Sequence, residues 1–242
     1  FTAYLKSETA KWTRVVQDVR RNARVCQYER AGYGASEPGS LPRDAKREGD
    51  DLVALLAASG EKPPYFLVGH GLGALNAYVL AGTHRDLLAG LALVDPPPLE
   101  WLSGKEWPKL REFTVKQREQ YEHVEKQMLA SSLVAERMRA PRFRTMASEQ
   151  KTMFAESSKA AASVASLGKL PLLVVAVARP APIYGRDAVP FQKWWVDGAR
   201  RLATKSSAGK FVLYEDSGSS VQRDAPERLA DELREMWANL RK

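Results

Sequence analysis

The sequence predicts an α/β fold: a mainly parallel sheet with helices on both faces and an inserted helical lid. Three observations carry this. Short, almost wholly apolar runs, Tyr65–Val68, Leu91–Val94 and Leu172–Val177, have the texture of strands buried on both sides. Helical patterns of about ten residues or more stand between strand-like runs, the spacing that crossover connections between parallel strands require. The alternation is interrupted once, between Pro96 and Gly168, by a polar and charged stretch without strand pattern.

Taken in order, Thr2–Leu5 reads as a short strand. Lys11–Asn22 reads as an amphipathic helix with Trp12, Val15, Val16 and Val19 on one side. Arg24–Tyr28 reads as a central strand, which makes Cys26 a small buried apolar residue. The glycines of Arg30-Ala31-Gly32-Tyr33-Gly34 suit a tight turn. Asp44–Ser59 is helical, with Leu52, Leu55 and Leu56 as its stripe and Gly60 as its stop. The strand Tyr65–Val68, the small-residue helix Leu72–Ala81 and the strand Leu91–Val94 complete a first core part, residues 1–95. Pro96-Pro97-Pro98 opens the lid, residues 96–168, which holds the polar run Gln117–Gln127. Residues 169–242 form the second core part: strand Leu172–Val177, helix Phe191–Leu202, strand Phe211–Tyr214 and a last helix from Pro226. Asp224 and Glu227 give that helix a capping-box-like start.

The 242 residues suit one domain with an insertion. The balance of 37 Lys and Arg against 29 Asp and Glu leaves a net charge of +8, so acidic partners such as RNA, anionic lipid or acidic protein come into view. A single cysteine excludes a disulfide framework and a multi-cysteine metal site. No apolar run is long enough to span a bilayer. No cofactor and no metal are expected. The chain begins at Phe1, not Met, which leaves import into an organelle open.

The segment Phe66-Leu67-Val68-Gly69-His70-Gly71-Leu72-Gly73-Ala74-Leu75 is strand, sharp turn, helix. It resembles the nucleophile elbow of the α/β-hydrolases, whose pattern is G-x-S-x-G. Cys26–Ser36 resembles the strand and loop that these hydrolases place before the elbow, and Leu91–Asp95 their next strand. The lid falls where the family inserts its cap. Ser217–Gln222 with Asp224–Glu227 resembles the segment carrying the family's catalytic histidine.

The resemblance implies an α/β-hydrolase fold, but the catalytic positions depart from it. The nucleophile position is Gly71, the histidine position is Ser219, and no histidine follows His123. The oxyanion loop maps onto Lys6-Ser7-Glu8-Thr9-Ala10, short and without glycine, where Glu8 would oppose a developing negative charge. Asp95 and Asp187 are both open as the remaining acid. Losing a triad serine or histidine costs on the order of 10⁶ in kcat, and losing an oxyanion donor about 10²–10³. Glycine at the elbow also has a structural reading, since it adopts the strained geometry of that turn without steric cost.

Other residues carry a sharp and a plain reading. His70 either pairs with Ser219 as a rewired dyad or is a packed residue pointing away from the pocket, and the second is the working expectation. His84 at a helix end and His123 in the lid read as surface groups. Arg137, Arg139, Arg142 and Arg144 either grip an acidic partner or form a solvated face, the latter preferred. Trp194 and Trp195 are open between an exposed docking patch and a helix face packed on the sheet. Gly69 and Gly73 fit neither phosphate-binding fingerprint.

The expectation drawn from these residues is a catalytically inactive hydrolase-fold protein serving as a structural or interaction subunit of a larger assembly, a mitochondrial complex being one suited to a basic chain. A receptor or carrier using the old pocket is the alternative, with a hydrolase of relocated residues behind it. An open apolar cavity under the lid favours binding, and a filled one favours scaffolding.

Overall fold

The computed structural model describes residues 6–103, 105 and 107–241, so the expected Thr2–Leu5 strand lies outside the described residues. Strands β1 (Tyr65–His70), β2 (Leu88–Val94), β3 (Leu172–Val177) and β4 (Gly209–Tyr214) form one sheet in that order. Every neighbouring pair is parallel. The register sets His70 beside Val94, and Val94 beside Val175. The residues that follow β1 and β2 therefore emerge together at one end of the sheet.

Side-chain alternation divides the core in two, as a sheet covered on both faces requires. Leu91, Leu93, Leu172 and Val174 pack with α2 (Ala45–Ala58), α3 (Leu72–Thr83) and α8 (Ala188–Ala203). Ala92, Val94, Leu173 and Val175 pack with α1 (Lys6–Val19) and α10 (Pro226–Leu240), through Trp12, Val15, Leu229 and Leu233. The helix stripe expected at Trp12, Val15 and Val19 is thus a buried face, with Val16 packed partly against it. Asp44 caps α2 by accepting from the Lys46 and Arg47 amides, which fixes where that helix begins.

Between β2 and β3 the chain forms α4 (Pro108–Ala130), α5 (Val134–Arg137), α6 (Ala140–Met153) and α7 (Glu156–Ser163). Helices α4 and α6 pack side by side, whereas α7 lies against α2 and α3. Ser157 accepts from the Ala45 amide at 3.0 Å, and Ala161 joins the core. The last part of the insertion is therefore docked on the body of the fold.

Three local expectations are corrected. Arg24–Tyr28 forms no strand, and Cys26 is exposed. This segment and β1 instead line a cleft of about 600 Å³, walled by Tyr28, Tyr65, Phe66 and Trp237. Lys6–Ala10, expected as a loop, is the first part of α1. The last helix begins without a capping box: Ala225 holds the cap position with no side-chain bond, and the Asp224 carboxylate accepts from the Gly218 amide at 3.0 Å. Proline at the first helical position supplies the preset φ that starts α10.

Candidate functional site

The turn between β1 and α3 is built by glycine. At Gly69 a Cβ would lie 2.5 Å from the Gly73 carbonyl oxygen and 2.8 Å from the Ala74 Cα, so strand and helix approach each other only because this side chain is absent. Gly71 has φ 55° and ψ −124°, a conformation that L side chains rarely adopt, and its amide donates to the Val94 carbonyl at 3.0 Å. A Cβ at Gly71 would meet nothing within 4 Å. The elbow geometry is thus present, with open space where a side chain would project.

Asp95 follows β2 at the same end of the sheet. It is buried with φ 47°, and its amide donates to the Val175 carbonyl at 2.7 Å. Its carboxylate accepts from Trp195 Nε1 at 2.9 Å and from the Ser219 hydroxyl. Burial pushes the Asp95 carboxyl above its ordinary value, opposed by the Ser219 hydroxyl, the nearby His70 and the Trp195 indole.

His70 Nε2 lies 2.6 Å from the Ser219 backbone oxygen. A carbonyl only accepts, so that ring nitrogen carries the proton and donates it. The ring stands edge-on to Trp12, with centroids 6.1 Å apart. His70 therefore reaches the Ser219 backbone, packs on Trp12 and does not line the cavity under the lid, and it leaves the Ser219 hydroxyl to Asp95.

The two candidate acids separate clearly. Asp187, half-exposed at the start of α8, pairs with Lys109 of α4 at 2.6 Å, and that bond holds its carboxyl below the ordinary range. Asp95 is the carboxylate that Ser219 meets. Trp194 and Trp195 are half-buried. They pack with Trp107, Phe191 and Tyr184 in an aromatic cluster, because the α8 face that carries them turns toward the sheet and the lid. Among the lid arginines, Arg144 pairs with Glu125 at 2.6 Å, and Arg137 and Arg139 are exposed. His84 caps the end of α3, and His123 is exposed on α4. Among the described residues no group of three His, Cys, Asp or Glu side chains is placed to hold a metal.

Beneath the lid lies a cavity of about 310 Å³, walled by Leu72 behind the elbow, Leu110 and Tyr121 of α4, Met153 of α6, and Tyr184 and Trp195. Glu149 of α6 reaches its edge and enters a buried ionic cluster absent from the sequence reading. Tyr33 donates to Glu149 at 2.5 Å, Arg30 bonds Glu149 and lies 3.2 Å from Glu48, and Arg43 bonds Glu48 at 2.7 Å and Asp51 at 2.6 Å. Thr152 donates to the Arg43 carbonyl and Ser148 accepts its amide, both at 2.8 Å. Helix α6 is thereby clamped to the loop before α2. Burial raises the Glu48 carboxyl, and Arg30 and Arg43 pull it back.

Comparison with known proteins places this geometry. Residues 10–232 match the model of the alpha/beta hydrolase family. The chain belongs to the alpha/beta hydrolase family. The matched residues take in the elbow, the lid and Ser219. Two curated relatives are YqjL of Bacillus subtilis, uncharacterized, 30% identical over 96 residues, and an uncharacterized protein of Schizosaccharomyces pombe, 32% identical over 81. The matches cover 40% and 34% of this chain but only 38% and 15% of those proteins. Among solved structures, an esterase from Thermogutta terrifontis superposes with a TM-score of 0.69 at 18% identity, covering 96% of this chain and 86% of that one. The haloalkane dehalogenase DbeA from Bradyrhizobium elkani gives 0.65 at 19% identity, covering 96% and 87%. At such identities these alpha/beta hydrolase structures establish the shared fold.

Proposed function

We propose that this chain is a catalytically inactive alpha/beta hydrolase retained as an interaction subunit of a larger assembly. The observation that carries the reading is the pairing at the elbow: glycine at position 71 offers no attacking atom, and Ser219, at the family's histidine position, gives its hydroxyl to Asp95. A serine there transfers no proton near neutral pH. His70 supplies no substitute at Nε2, which already donates to a carbonyl. Nucleophile and base would both have to come from elsewhere. A basic chain suits an acidic partner, and a mitochondrial complex is one such setting.

A short-chain p-nitrophenyl ester assay tests the reading, run beside Gly71→Ser and the double variant Gly71→Ser/Ser219→His. The natural chain is expected to hydrolyse no faster than buffer and to resist fluorophosphonate labelling. The double variant, with a serine in open space and an imidazole beside Asp95, is expected to take up label at position 71. Turnover by the natural chain that disappears on changing His70 or Ser219 would overturn the proposal.

The cavity of about 310 Å³ favours a second reading, a small-molecule carrier. That volume stands at the lower end of the range for ligand sites, enough for a compact apolar molecule. Native mass separates the two readings. Migration within a large complex supports the interaction subunit, and a free chain of 26.9 kDa supports the carrier.

A further inference from the structure

The far end of the lid joins two features that the hydrolase fold itself does not explain. The turn between α4 and α5 carries exposed aliphatic side chains: Leu129 is 47% exposed, Leu133 and Val134 60% each, and Met138 77%. These fall within ten consecutive residues. The same region concentrates charge. Lys126, Arg137, Arg139, Arg142 and Arg144 stand against Glu136 alone between positions 126 and 144, a surplus of four that is half the net charge of the chain. Glu125, just outside that span, is closed by Arg144 at 2.6 Å.

The turn is held in shape. Arg137 donates to the Ser131 and Ser132 carbonyls at 2.7 and 3.0 Å, and the Leu133 amide donates to the Ser131 hydroxyl at 3.1 Å. Leu133 starts α5, whose backbone bonds fix Met138 one turn on. The apolar side chains therefore project from an ordered knob.

We propose that this lid tip docks on an anionic membrane surface, with Leu129, Leu133, Val134 and Met138 entering the boundary between headgroups and acyl chains while Arg137 and Arg139 meet lipid phosphates. Charge complementarity selects an acidic surface, and the aliphatic residues select lipid among acidic surfaces. RNA rewards aromatic side chains that stack on bases, and Lys126–Arg139 contains none. A headgroup boundary rewards aliphatic groups flanked by cations. Among the described residues no helix is long and apolar enough to cross a membrane, so the contact is peripheral. The proposal is independent of whether the elbow is catalytic.

Flotation of the full chain with vesicles of phosphatidylcholine alone, and with about one third phosphatidylserine, tests it. Retention on the anionic vesicles is expected, at least tenfold tighter than on the neutral ones, and it should weaken at high salt. Arg137→Gln/Arg139→Gln should weaken it roughly tenfold or more, since each cation near an anionic leaflet is worth about a fivefold change. Leu133→Ser/Met138→Ser, both at exposed positions, should fold normally and lose the salt-resistant part of the binding. An environment-sensitive dye on Met138→Cys, with Cys26→Ser, should shift to the blue only on anionic vesicles. Equal binding to both vesicles, no binding to either, or binding untouched by the tip variants overturns the proposal. A tip-dependent dimer in solution, or tighter capture of RNA than of anionic vesicles, would overturn it in favour of those partners.

Discussion

Trp195 donates its indole proton to the Asp95 carboxylate at 2.9 Å, joining the residue that follows β2 to the middle of α8 across 100 residues of sequence. The Ser219 hydroxyl reaches the same carboxylate from the loop before α9 (Val221–Asp224). Two neutral donors therefore stabilise the ionised form of a buried acid. This tie joins the end of the sheet to α8 and to the loop before α9.

Asp95→Asn is expected to stabilise the protein near neutral pH. The folded-state pKa of Asp95 is raised by burial. A raised carboxyl binds its proton more tightly in the folded chain than in the unfolded one, so stability falls as pH rises from the ordinary carboxylate range through the raised value. Asparagine removes that penalty, keeps an oxygen for Trp195 and tolerates the positive φ better than most residues. Thermal melts should show a higher Tm at pH 7–8, by about 2–4 °C for each kcal/mol regained. The difference should shrink as pH falls toward the ordinary value of 3.8. A lower Tm for the variant at pH 7 would mean that the ionised carboxylate contributes net stability.

At the elbow two glycines should respond differently to a methyl group. Gly71→Ala meets no atom within 4 Å, so its cost is backbone strain alone, about 1–3 kcal/mol. Gly69→Ala places a methyl 2.5 Å from the Gly73 oxygen and 2.8 Å from the Ala74 Cα, and backbone atoms cannot step aside cheaply. Urea midpoints should fall modestly for the first and far more for the second, or the second should not accumulate as folded protein. Equal losses would show that strain at Gly71 rivals the clash at Gly69.

The strands β1 to β3 were legible because burial on both faces writes them as continuous apolar runs. The elbow was legible because Gly69 and Gly73 mark a close backbone approach. Arg24–Tyr28 shows the limit of that reasoning. Its composition suits a strand, but strand formation needs a paired edge, and this segment faces a cleft instead. Trp194 and Trp195 could not be placed from composition, since burial depends on which way α8 turns. The cluster of Arg30, Arg43, Glu48 and Glu149 left no local signal at all, because Arg30 and Glu149 are 119 positions apart.

That cluster supplies a stability prediction. Arg30 has a fully buried side chain, bonded by Glu149 and 3.2 Å from Glu48. Removing one partner of a buried ionic pair costs about 3–5 kcal/mol, because the remaining charge stays desolvated. Glu149→Ala should lower stability by that order and loosen α6, seen as faster amide exchange over Ala140–Met153. Tyr33→Phe removes one hydrogen bond to a charged group and should cost about 1.5–3 kcal/mol. A Glu149→Ala variant as stable as the natural chain would mean that Arg30 is held by Glu48 alone.

The cleft beside β1 predicts the behaviour of the single thiol. Cys26 lines it and is exposed. A strand at Arg24–Tyr28 closed against β1 would shield this side chain or its neighbours, whereas the cleft leaves the sulfur open to reagent. One equivalent of thiol should therefore react with a small disulfide reagent in the folded protein, at a rate within about tenfold of that in denaturant, since access and thiolate fraction set the rate. Protection by several orders of magnitude would mean that the cleft is filled in solution and that Arg24–Tyr28 lies covered. Repeating the reaction in the presence of co-purifying proteins would then show whether the cover comes from this chain or from another.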